Sequence, residues 1–272
     1  MQDRPPSQHY RTLFLSDIHL GCNGCQADLL LDFLRFHDAE TIYLVGDIID
    51  GWRLRRGWYW PQAHNDVVQK LLRKGRKGSR IVYIPGNHDE FLRDYIGMHF
   101  GGVEVLESTI HETADGKRLL IIHGDHFDVV VRHAAWLAHL GAGAYSTALA
   151  LNTVLNRFRR KFGLSYWSLS AYLKLRVKNA VNYIGAFEQA LANEARRVGA
   201  DGVVCGHIHH ARIAQSDGFR YVNTGDWMES CTAVVEHHDG RMEIIHWTKI
   251  RATPGADDGT DEEQPVLAEA AE

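Results

Sequence analysis

This sequence has few cysteines, no long apolar run and no apolar stretch at its start. Four cysteines among 272 residues are too few for a disulfide framework of the kind that small secreted domains need. The single C-x-x-C pair, Cys22 and Cys25, has no second pair to complete a zinc site, and no segment reaches the ~18 apolar residues of a membrane-spanning helix. Residues 1–10 also lack the apolar core of a signal peptide. We therefore expect a cytoplasmic protein, with any membrane contact made from the inner face of the cytoplasmic membrane.

Two segments each lack charges of one sign. Residues 252–272 hold seven acids, no Lys or Arg and no aromatic residue, which predicts a disordered acidic tail. Residues 129–187 hold eight Lys or Arg, no Asp or Glu, and many aromatic residues at largely helical spacing. We interpret this second segment as a helical cap inserted into a catalytic domain made of residues 1–128 and 188–251. A helical hairpin packed on the core is the alternative, against which the lack of acids argues.

Short apolar runs alternate with segments of helical periodicity in the first third of the chain. Thr12 to Leu15, Ile42 to Val45 and Ile81 to Ile84 have the length and composition of buried strands. Their β-α-β-α-β order predicts parallel strands joined by right-handed crossovers. After residue 108 the pattern changes to hairpins that turn at Asp-Gly pairs. The fold class is therefore a mixed α/β protein, with one mixed sheet or two packed sheets covered by helices.

Five strand-like runs end in polar residues. They are Asp17 and His19, Asp47, Asn87 and His88, His123, and His207 and His209. One such ending is usually a helix cap or a hydrogen-bonded loop residue, but five in one chain argue for a shared site at the carboxyl edge of a sheet. Mixed carboxylate, amide and imidazole ligands favour Mn, Fe or Zn over Ca or Mg. We expect the Asp-x-His and His-x-His pairs to lie on extended backbone, which turns alternate side chains to one side.

The series Asp17-x-His19, Gly46-Asp47, Gly86-Asn87-His88-Asp89, His123 and Gly206-His207-x-His209 resembles the calcineurin-like metallophosphoesterases. It runs in this order within about residues 11–250. The resemblance implies a four-layer α/β/β/α sandwich that holds two divalent metal ions, with Mn²⁺ as the first expectation and Fe or Zn as alternatives. It assigns one ion to Asp17, His19, Asp47 and His209. It assigns the other to Asp47, Asn87, His123 and His207, so that Asp47 is shared.

The same resemblance implies a hydrolase for phosphate esters or anhydrides. Two metal ions clamp the attacking and leaving oxygens during phosphoryl transfer. His88 is expected to face the substrate and to donate a proton or a hydrogen bond to the leaving oxygen. For Asp89 we expect one or both of two roles: orienting His88, or capping the helical turn that follows.

The surroundings of these motifs resemble the UDP-2,3-diacylglucosamine diphosphatase branch of the family. The similarity lies in residues 46–52 and 223–227, and in the cap that follows His123. It implies cleavage of the pyrophosphate of a lipid-linked UDP-sugar to UMP and a lipid 1-phosphate. We expect substrate contacts from Arg55 and Arg56, in an aromatic and basic loop over residues 52–60, and from Arg157, Arg160 and Trp167 in the cap. The cap is also expected to contact an anionic membrane.

One residue departs from that branch, whose members carry Arg at the position of His88. A sugar phosphate leaves readily without a proton, whereas an alkoxide benefits from a general acid. His88 therefore keeps phosphodiesters and phosphomonoesters open as substrates, including nucleotide and glycerophospho compounds. A nuclease is a further alternative, since the cap is basic and aromatic, although we expect no nucleic-acid partner. A non-catalytic scaffold of the same fold is the last alternative, and the sequence makes no prediction of the oligomeric state.

Overall fold

The computed structural model of the protein describes residues 8–130 and 184–252. Within these ranges twelve strands form two sheets. The strands are β1 (Gln8–Leu15), β2 (His37–Val45), β3 (Arg80–Ile84), β4 (His99–Phe100), β5 (Val103–Val105), β6 (Thr109–Glu112), β7 (Arg118–Ile121), β8 (Gly202–Cys205), β9 (Arg212–Ser216), β10 (Phe219–Asn223), β11 (Thr232–Glu236) and β12 (Met242–His246).

Both sheets have a parallel centre and antiparallel edges. The first has the order β12-β11-β1-β2-β3-β5-β4, in which β1, β2, β3 and β5 run parallel. The second has the order β6-β7-β8-β10-β9, in which β7, β8 and β10 run parallel. The parallel strands of each sheet consequently end at one edge, where the loops that carry the polar motifs begin.

Helices cover the outer faces of the sheets. They are α1 (Ala27–Phe36), α2 (Gly51–Arg56), α3 (Gln62–Arg76), α4 (residues 184–197) and α5 (Trp247–Ala252). Short 3-10 helices occupy Glu90–Tyr95 and Asp125–Val130. In α1 the buried residues Ala27, Leu30, Phe33 and Leu34 follow the spacing of one helix face, which is the face that packs on the first sheet.

Three layers of apolar packing connect these elements. On β1, Leu13 and Leu15 pack towards α1 and α3, whereas Phe14 faces the second sheet, as the alternation of a strand requires. Val204 on β8 lies in the same inter-sheet layer as Phe14, and Phe187 of α4 packs on the outer face of the second sheet. The layers therefore run helix, sheet, sheet, helix, which confirms the four-layer mixed α/β fold.

The strands and hairpins predicted from the sequence are confirmed, with longer bounds for β1 and β2. The prediction of a loop over residues 52–60 was wrong in part, because Gly51–Arg56 form α2. Asp50 begins this helix by accepting a hydrogen bond from the backbone N–H of Arg53, 2.8 Å away. The sequence reading missed this helix because it is short and has no apolar face.

Most of the predicted cap and tail lies outside the described residues. Of the cap, residues 129–130 and 184–187 are described, and of the tail only residue 252. Within the described ranges, no helix combines the length and the apolar character that crossing a membrane requires.

Candidate metal centre

The polar motifs meet where strands of both sheets end. The loop after β1 is joined to the loop after β2, since the N–H of Asp17 donates to the carbonyl of Gly46 at 3.0 Å and the N–H of His19 donates to that of Asp47 at 2.9 Å. In the second sheet, the N–H of Gly206 donates to the carbonyl of His123 at 3.2 Å. These backbone bonds hold side chains from distant parts of the chain around one centre.

The backbone at this centre is strained rather than extended. Among the described residues, seven that are not glycine have a positive φ, and five of them are predicted metal ligands. These five are Asp17, His19, Asp47, His207 and His209, with φ between 50° and 70°. The expectation of extended backbone at the Asp-x-His and His-x-His pairs was therefore wrong. Left-handed conformations at residues other than glycine are costly and cluster at functional sites.

Donor atoms of the predicted ligands form compact groups. Asp17, His19 and His209 offer atoms that all lie within 4.8 Å of one another, and Asp47, His123 and His207 do the same. A third group of this kind joins His88 to His19 and Asp47. The structure thus brings together the six His and Asp ligands of the prediction as two neighbouring triads.

Each central carboxylate uses one oxygen to hold the backbone and turns the other to imidazoles. Asp47 Oδ1 accepts a hydrogen bond from the N–H of His88 at 2.8 Å, while its Oδ2 lies 3.4 Å from Nε2 of His123. Asp17 Oδ2 accepts from the N–H of His207 at 2.9 Å, while its Oδ1 lies 3.2 Å from Nε2 of His209. Nε2 of His19 lies 4.0 Å from Asp17 Oδ1 and 3.9 Å from Asp47 Oδ2, between the two carboxylates.

Several of these buried atoms lack an aligned hydrogen-bond partner within the described part of the chain. They are Asp17 Oδ1, His19 Nε2, Asn87 Oδ1 and His123 Nε2. Buried polar atoms are nearly always paired, so four orphans from four predicted ligands require an explanation. Nδ1 of His123 lies 2.8 Å from the Val45 carbonyl and donates its hydrogen there, which leaves the Nε2 lone pair facing Asp47. A proton or a metal ion between Nε2 of His123 and the Asp47 carboxylate would satisfy both groups.

The electrostatics of the centre also favour a positive charge. Burial alone would lower the pKa of His123, but the adjacent Asp47 carboxylate outweighs burial and raises this pKa to about 10. In the same way, Asp17 overcomes burial and raises the pKa of His209 to about 9. Burial would raise the pKa of Asp47, yet the imidazole of His123 lowers it to about 2. The residues therefore fit divalent cations, whose charge would take the place of these protons.

Glycines before two ligands allow this close packing. A Cβ on Gly86 would lie 2.3 Å from Asp47 Oδ1 and 2.7 Å from His123 Nε2, inside the space that the ligand atoms surround. A Cβ on Gly46 would lie 2.1 Å from the His123 ring. Any larger residue at either position would displace a ligand, which explains the Gly-Asp and Gly-Asn pairs of the motifs.

Asp50 belongs to this site, although it was not among the residues predicted from the sequence. It is buried, and its two carboxylate oxygens face two histidines: Oδ2 lies 3.4 Å from Nδ1 of His19, and Oδ1 lies 3.1 Å from Nδ1 of His88. Burial would raise the pKa of Asp50, but these imidazoles lower it. Burial would lower the pKa of His88, but Asp50 raises it. In the sequence, the position of Asp50 three residues after Asp47, following β2, could have indicated that it belongs to the site.

Asp89 has neither of the contacts expected from the sequence. Its side chain makes no capping hydrogen bond to the helical turn Glu90–Tyr95, so the capping interpretation was wrong. The carboxylate is fully buried and accepts hydrogen bonds from the N–H groups of Ile48 and Gly86 and from the hydroxyl of Tyr83. Asp89 therefore ties together the loops after β2 and β3, and the contact with His88 is made by Asp50.

Trp52 lies against His88, and the two predicted arginines lie further out. The ring centroids of Trp52 and His88 are 4.2 Å apart, and Nε1 of Trp52 donates to Glu90. Arg55 and Arg56 are exposed on α2, whose first turn begins at Asp50. The other predicted substrate contacts, Arg157, Arg160 and Trp167, lie outside the described residues and remain predictions.

The chain is similar to several known proteins. The family model described as Calcineurin-like phosphoesterase matches residues 10–211. A UDP-2,3-diacylglucosamine hydrolase of Cellvibrio japonicus (strain Ueda107) is 24% identical, over 84% of this chain and 92% of the relative. A protein of the same name from Neisseria meningitidis serogroup B is 26% identical, over 82% of this chain and 92% of the relative. Among solved structures, vacuolar protein sorting 29 from Cryptosporidium parvum matches with a TM-score of 0.42 and 12% identity, over 86% of this chain and 94% of that chain.

The family match spans most of the chain and includes the motifs from Asp17 to His209. The donor groups around Asp17 and Asp47 supply the kind of site that divalent metals need in this family. The chain therefore belongs to the calcineurin-like phosphoesterase family and is a metal-dependent phosphoester hydrolase.

Proposed function

We propose that this protein hydrolyses the pyrophosphate of UDP-2,3-diacylglucosamine, or of a closely related lipid-linked nucleotide sugar, to UMP and a lipid 1-phosphate. The observation that carries a hydrolase is the set of buried donor atoms around Asp17 and Asp47 that have no hydrogen-bond partner among the described residues. The choice of substrate is supported by relatives named UDP-2,3-diacylglucosamine hydrolase, which align over more than four fifths of this chain.

In this proposal two divalent ions are held by seven residues. Asp17, His19, Asp47 and His209 hold one ion, and Asp47, Asn87, His123 and His207 hold the other, with Mn²⁺ as the expected metal. When bound, such ions supply Lewis acidity that polarises phosphoryl oxygens and makes water a better nucleophile at neutral pH. The protein's share is to orient the ligands, as the hydrogen bond from His123 Nδ1 to the Val45 carbonyl does by leaving Nε2 for an ion.

His88 is the proposed proton donor to the leaving oxygen. Its Nδ1 lies 3.1 Å from Asp50 Oδ1, without the alignment of a hydrogen bond, which leaves Nε2 as the nitrogen for the substrate. Asp50 also favours the protonated imidazole, because its negative charge raises the pKa of His88 against the effect of burial. Trp52 covers one side of the ring and limits its rotation. A positioned donor of this kind contributes about 10²–10⁴-fold to the rate when the leaving group is poor.

An assay that compares three substrates with Mn²⁺ present tests the proposal. UDP-diacylglucosamine should be cleaved much faster than a UDP-sugar without acyl chains, and faster than bis-p-nitrophenyl phosphate. Phosphorus NMR of the products in ¹⁸O-water identifies the bond that breaks and the phosphate that gains oxygen. Equal rates for the acylated and unacylated UDP-sugars would contradict a lipid-linked substrate, while leaving hydrolysis itself intact.

A phosphodiesterase or phosphomonoesterase acting on nucleotide or glycerophospho compounds is the second candidate. The pair formed by Asp50 and His88 favours it, because a poor alkoxide leaving group gains most from a general acid. His88→Arg distinguishes the two candidates. If the pyrophosphate is the substrate, this variant should keep activity, since a sugar phosphate leaves without a proton. If an alkyl ester is the substrate, the variant should lose about 10²-fold or more.

A further inference from the structure

The residues that follow Asp50 form a basic and aromatic surface beside the metal centre, which we name the α2 surface. It consists of Trp52, Arg53, Arg55, Arg56, Trp58 and Tyr59. Trp58 is 78% exposed, and Trp52 and Tyr59 are each 41% exposed. The three arginines are exposed as well, and no acidic group within the described ranges forms an ion pair with any of them. Exposed large aromatic rings beside unpaired arginines mark an interaction surface.

The exposed rings are held in place by a buried histidine. Nδ1 of His64 accepts a hydrogen bond from the N–H of Gly21 at 3.0 Å, which fixes the His64 ring next to the loop that carries His19. Tyr59 and Trp60 contact this ring edge-on, with centroids 5.7 Å and 5.5 Å away. Trp58 lies 6.1 Å from Trp60. Tyr59 and Trp60 are therefore anchored to the core, and Trp58 lies beside Trp60.

The composition of the α2 surface matches the surface of an anionic bilayer. Trp and Tyr are the residues that favour the region between lipid head groups and hydrocarbon, because their rings are apolar and their tips are polar. Arginines beside them meet lipid phosphates, and each basic group near an anionic membrane strengthens binding by about fivefold. Residues 51–61 hold three Arg and no Asp or Glu, so nothing within this segment opposes that attraction.

We infer that the α2 surface docks the protein on an anionic lipid bilayer. Asp50 joins this surface to the metal centre, since it begins α2 and contacts both His19 and His88. Docking through Trp58 and the arginines would therefore hold the centre close to the membrane, where a lipid-linked substrate is found. The inference goes beyond the proposed function, because it concerns a surface outside the metal centre and holds for vesicles that contain no substrate.

Co-sedimentation of the full chain with vesicles tests the inference. The wild type should bind vesicles of phosphatidylcholine with about three tenths phosphatidylglycerol, and should bind pure phosphatidylcholine vesicles much less. Replacing Arg53, Arg55 and Arg56 by Gln should weaken binding to the anionic vesicles by about 100-fold, at about fivefold for each arginine. Trp58→Ala together with Tyr59→Ala should weaken it by roughly tenfold, as expected when two buried rings are removed.

The matched control replaces Arg73, Arg76 and Lys77 by Gln. These three basic residues are exposed at the C-terminal end of α3, and the change in charge equals that of the α2 variant. Vesicle binding of this control should stay within about twofold of the wild type, and this small change reflects only the general loss of positive charge. Equal binding of the wild type and the Trp58 and Tyr59 variant would overturn the inference, and so would equal losses in the two triple variants.

Turnover of bis-p-nitrophenyl phosphate separates docking from catalysis. Trp58→Ala alone removes a largely exposed ring and should leave the melting temperature and this turnover unchanged while it weakens vesicle binding. Arg55 and Arg56 are also predicted from the sequence to bind the substrate, and the same assay tests that role. A higher KM for the soluble ester with normal vesicle binding would assign them to the substrate and overturn their part in docking.

Discussion

Two buried polar clusters in this protein both place carboxylates against histidines, but they differ in whether the polar atoms have hydrogen-bond partners. One is the metal centre around Asp17 and Asp47. The other, which we name the Glu236 cluster, lies between the sheets and consists of Arg11, Thr12, His111 and Glu236. Both bury a carboxylate almost completely and set it against imidazole.

In the Glu236 cluster each carboxylate oxygen has its donors within the chain. Oε1 of Glu236 accepts from Arg11 at 2.7 Å and from the N–H of Ala114 at 2.8 Å. Oε2 accepts from Thr12 at 2.7 Å and lies 2.7 Å from Nε2 of His111. The metal centre instead leaves Asp17 Oδ1 and His123 Nε2 without an aligned partner in the described part of the chain. A buried cluster whose polar atoms are all paired stabilises the fold, whereas one that leaves such atoms unpaired is built for a ligand.

Asp47→Asn should break the metal centre with the largest effect. Asp47 lies in two of the three donor groups, and its loss should exceed the ~10–100-fold cost of changing an outer partner of a metal site. We expect turnover of bis-p-nitrophenyl phosphate to fall by at least about 10³-fold. The rise in melting temperature on addition of Mn²⁺ should also disappear. An unchanged rise would show that the ions bind elsewhere.

Asp50→Asn should have a smaller effect through His88. The amide keeps the shape of the side chain but removes the charge that holds the proton on His88, so turnover of a phosphodiester with a poor alkoxide leaving group should fall by about 10–100-fold. His88→Asn should cost at least as much for a poor leaving group. Because the two residues act as a pair, the double variant should lose little more than His88→Asn alone. Additive losses would show that Asp50 acts mainly through its other neighbour, His19, and not through His88.

Glu236→Gln tests whether the Glu236 cluster serves stability and not catalysis. It leaves the metal centre intact but removes the charge that pairs with Arg11 and His111, so the free energy of unfolding should fall by about 2–3 kcal/mol. Urea denaturation measures this change, and turnover by the folded variant should stay at the wild-type level. A large loss of turnover without a loss of stability would show that the Glu236 cluster serves catalysis.

The carboxylate of Glu236 should also make the free energy of unfolding depend on pH, which is the smallest effect that we predict. Burial would raise the pKa of Glu236, but hydrogen bonds from His111, Thr12 and Ala114 lower it to about 2, from 4.5. A depressed pKa stabilises the fold above the unfolded value, and this contribution is lost as pH falls from about 4.5 towards 2. The difference in stability between the wild type and Glu236→Gln should therefore shrink over that interval. A constant difference would contradict the assignment.

The sequence was sufficient to predict which polar side chains share one edge of the sheets, because each follows an apolar strand. Parallel strands end at one edge, so Asp17, Asp47 and Asn87 had to be neighbours once the β-α-β order was recognised. His123 and His207 follow β7 and β8 in the same way. The four layers follow from the alternation of side chains along each strand. On β1, Leu13 faces the helices and Phe14 faces the second sheet.

Partnerships across the fold could not be predicted in the same way. Asp89 is the sequence neighbour of His88, but the carboxylate that contacts His88 belongs to Asp50, at the start of another helix. The left-handed backbone at Asp17 and His19 is set by hydrogen bonds to the loop after β2, which a linear pattern does not contain. Local order predicts which groups reach the edge of the sheet, and packing decides which of them pair.

Metal content is the most direct test of the central claim that the orphaned donor atoms hold a pair of divalent ions. The full chain would be equilibrated with Mn²⁺, freed of unbound ions and analysed by mass spectrometry of the metal. We predict two Mn²⁺ per chain for the wild type and at most one for Asp47→Asn, with Glu236→Gln unchanged from the wild type. A wild-type chain that retains no metal, or an Asp47→Asn chain that retains two ions, would contradict the account.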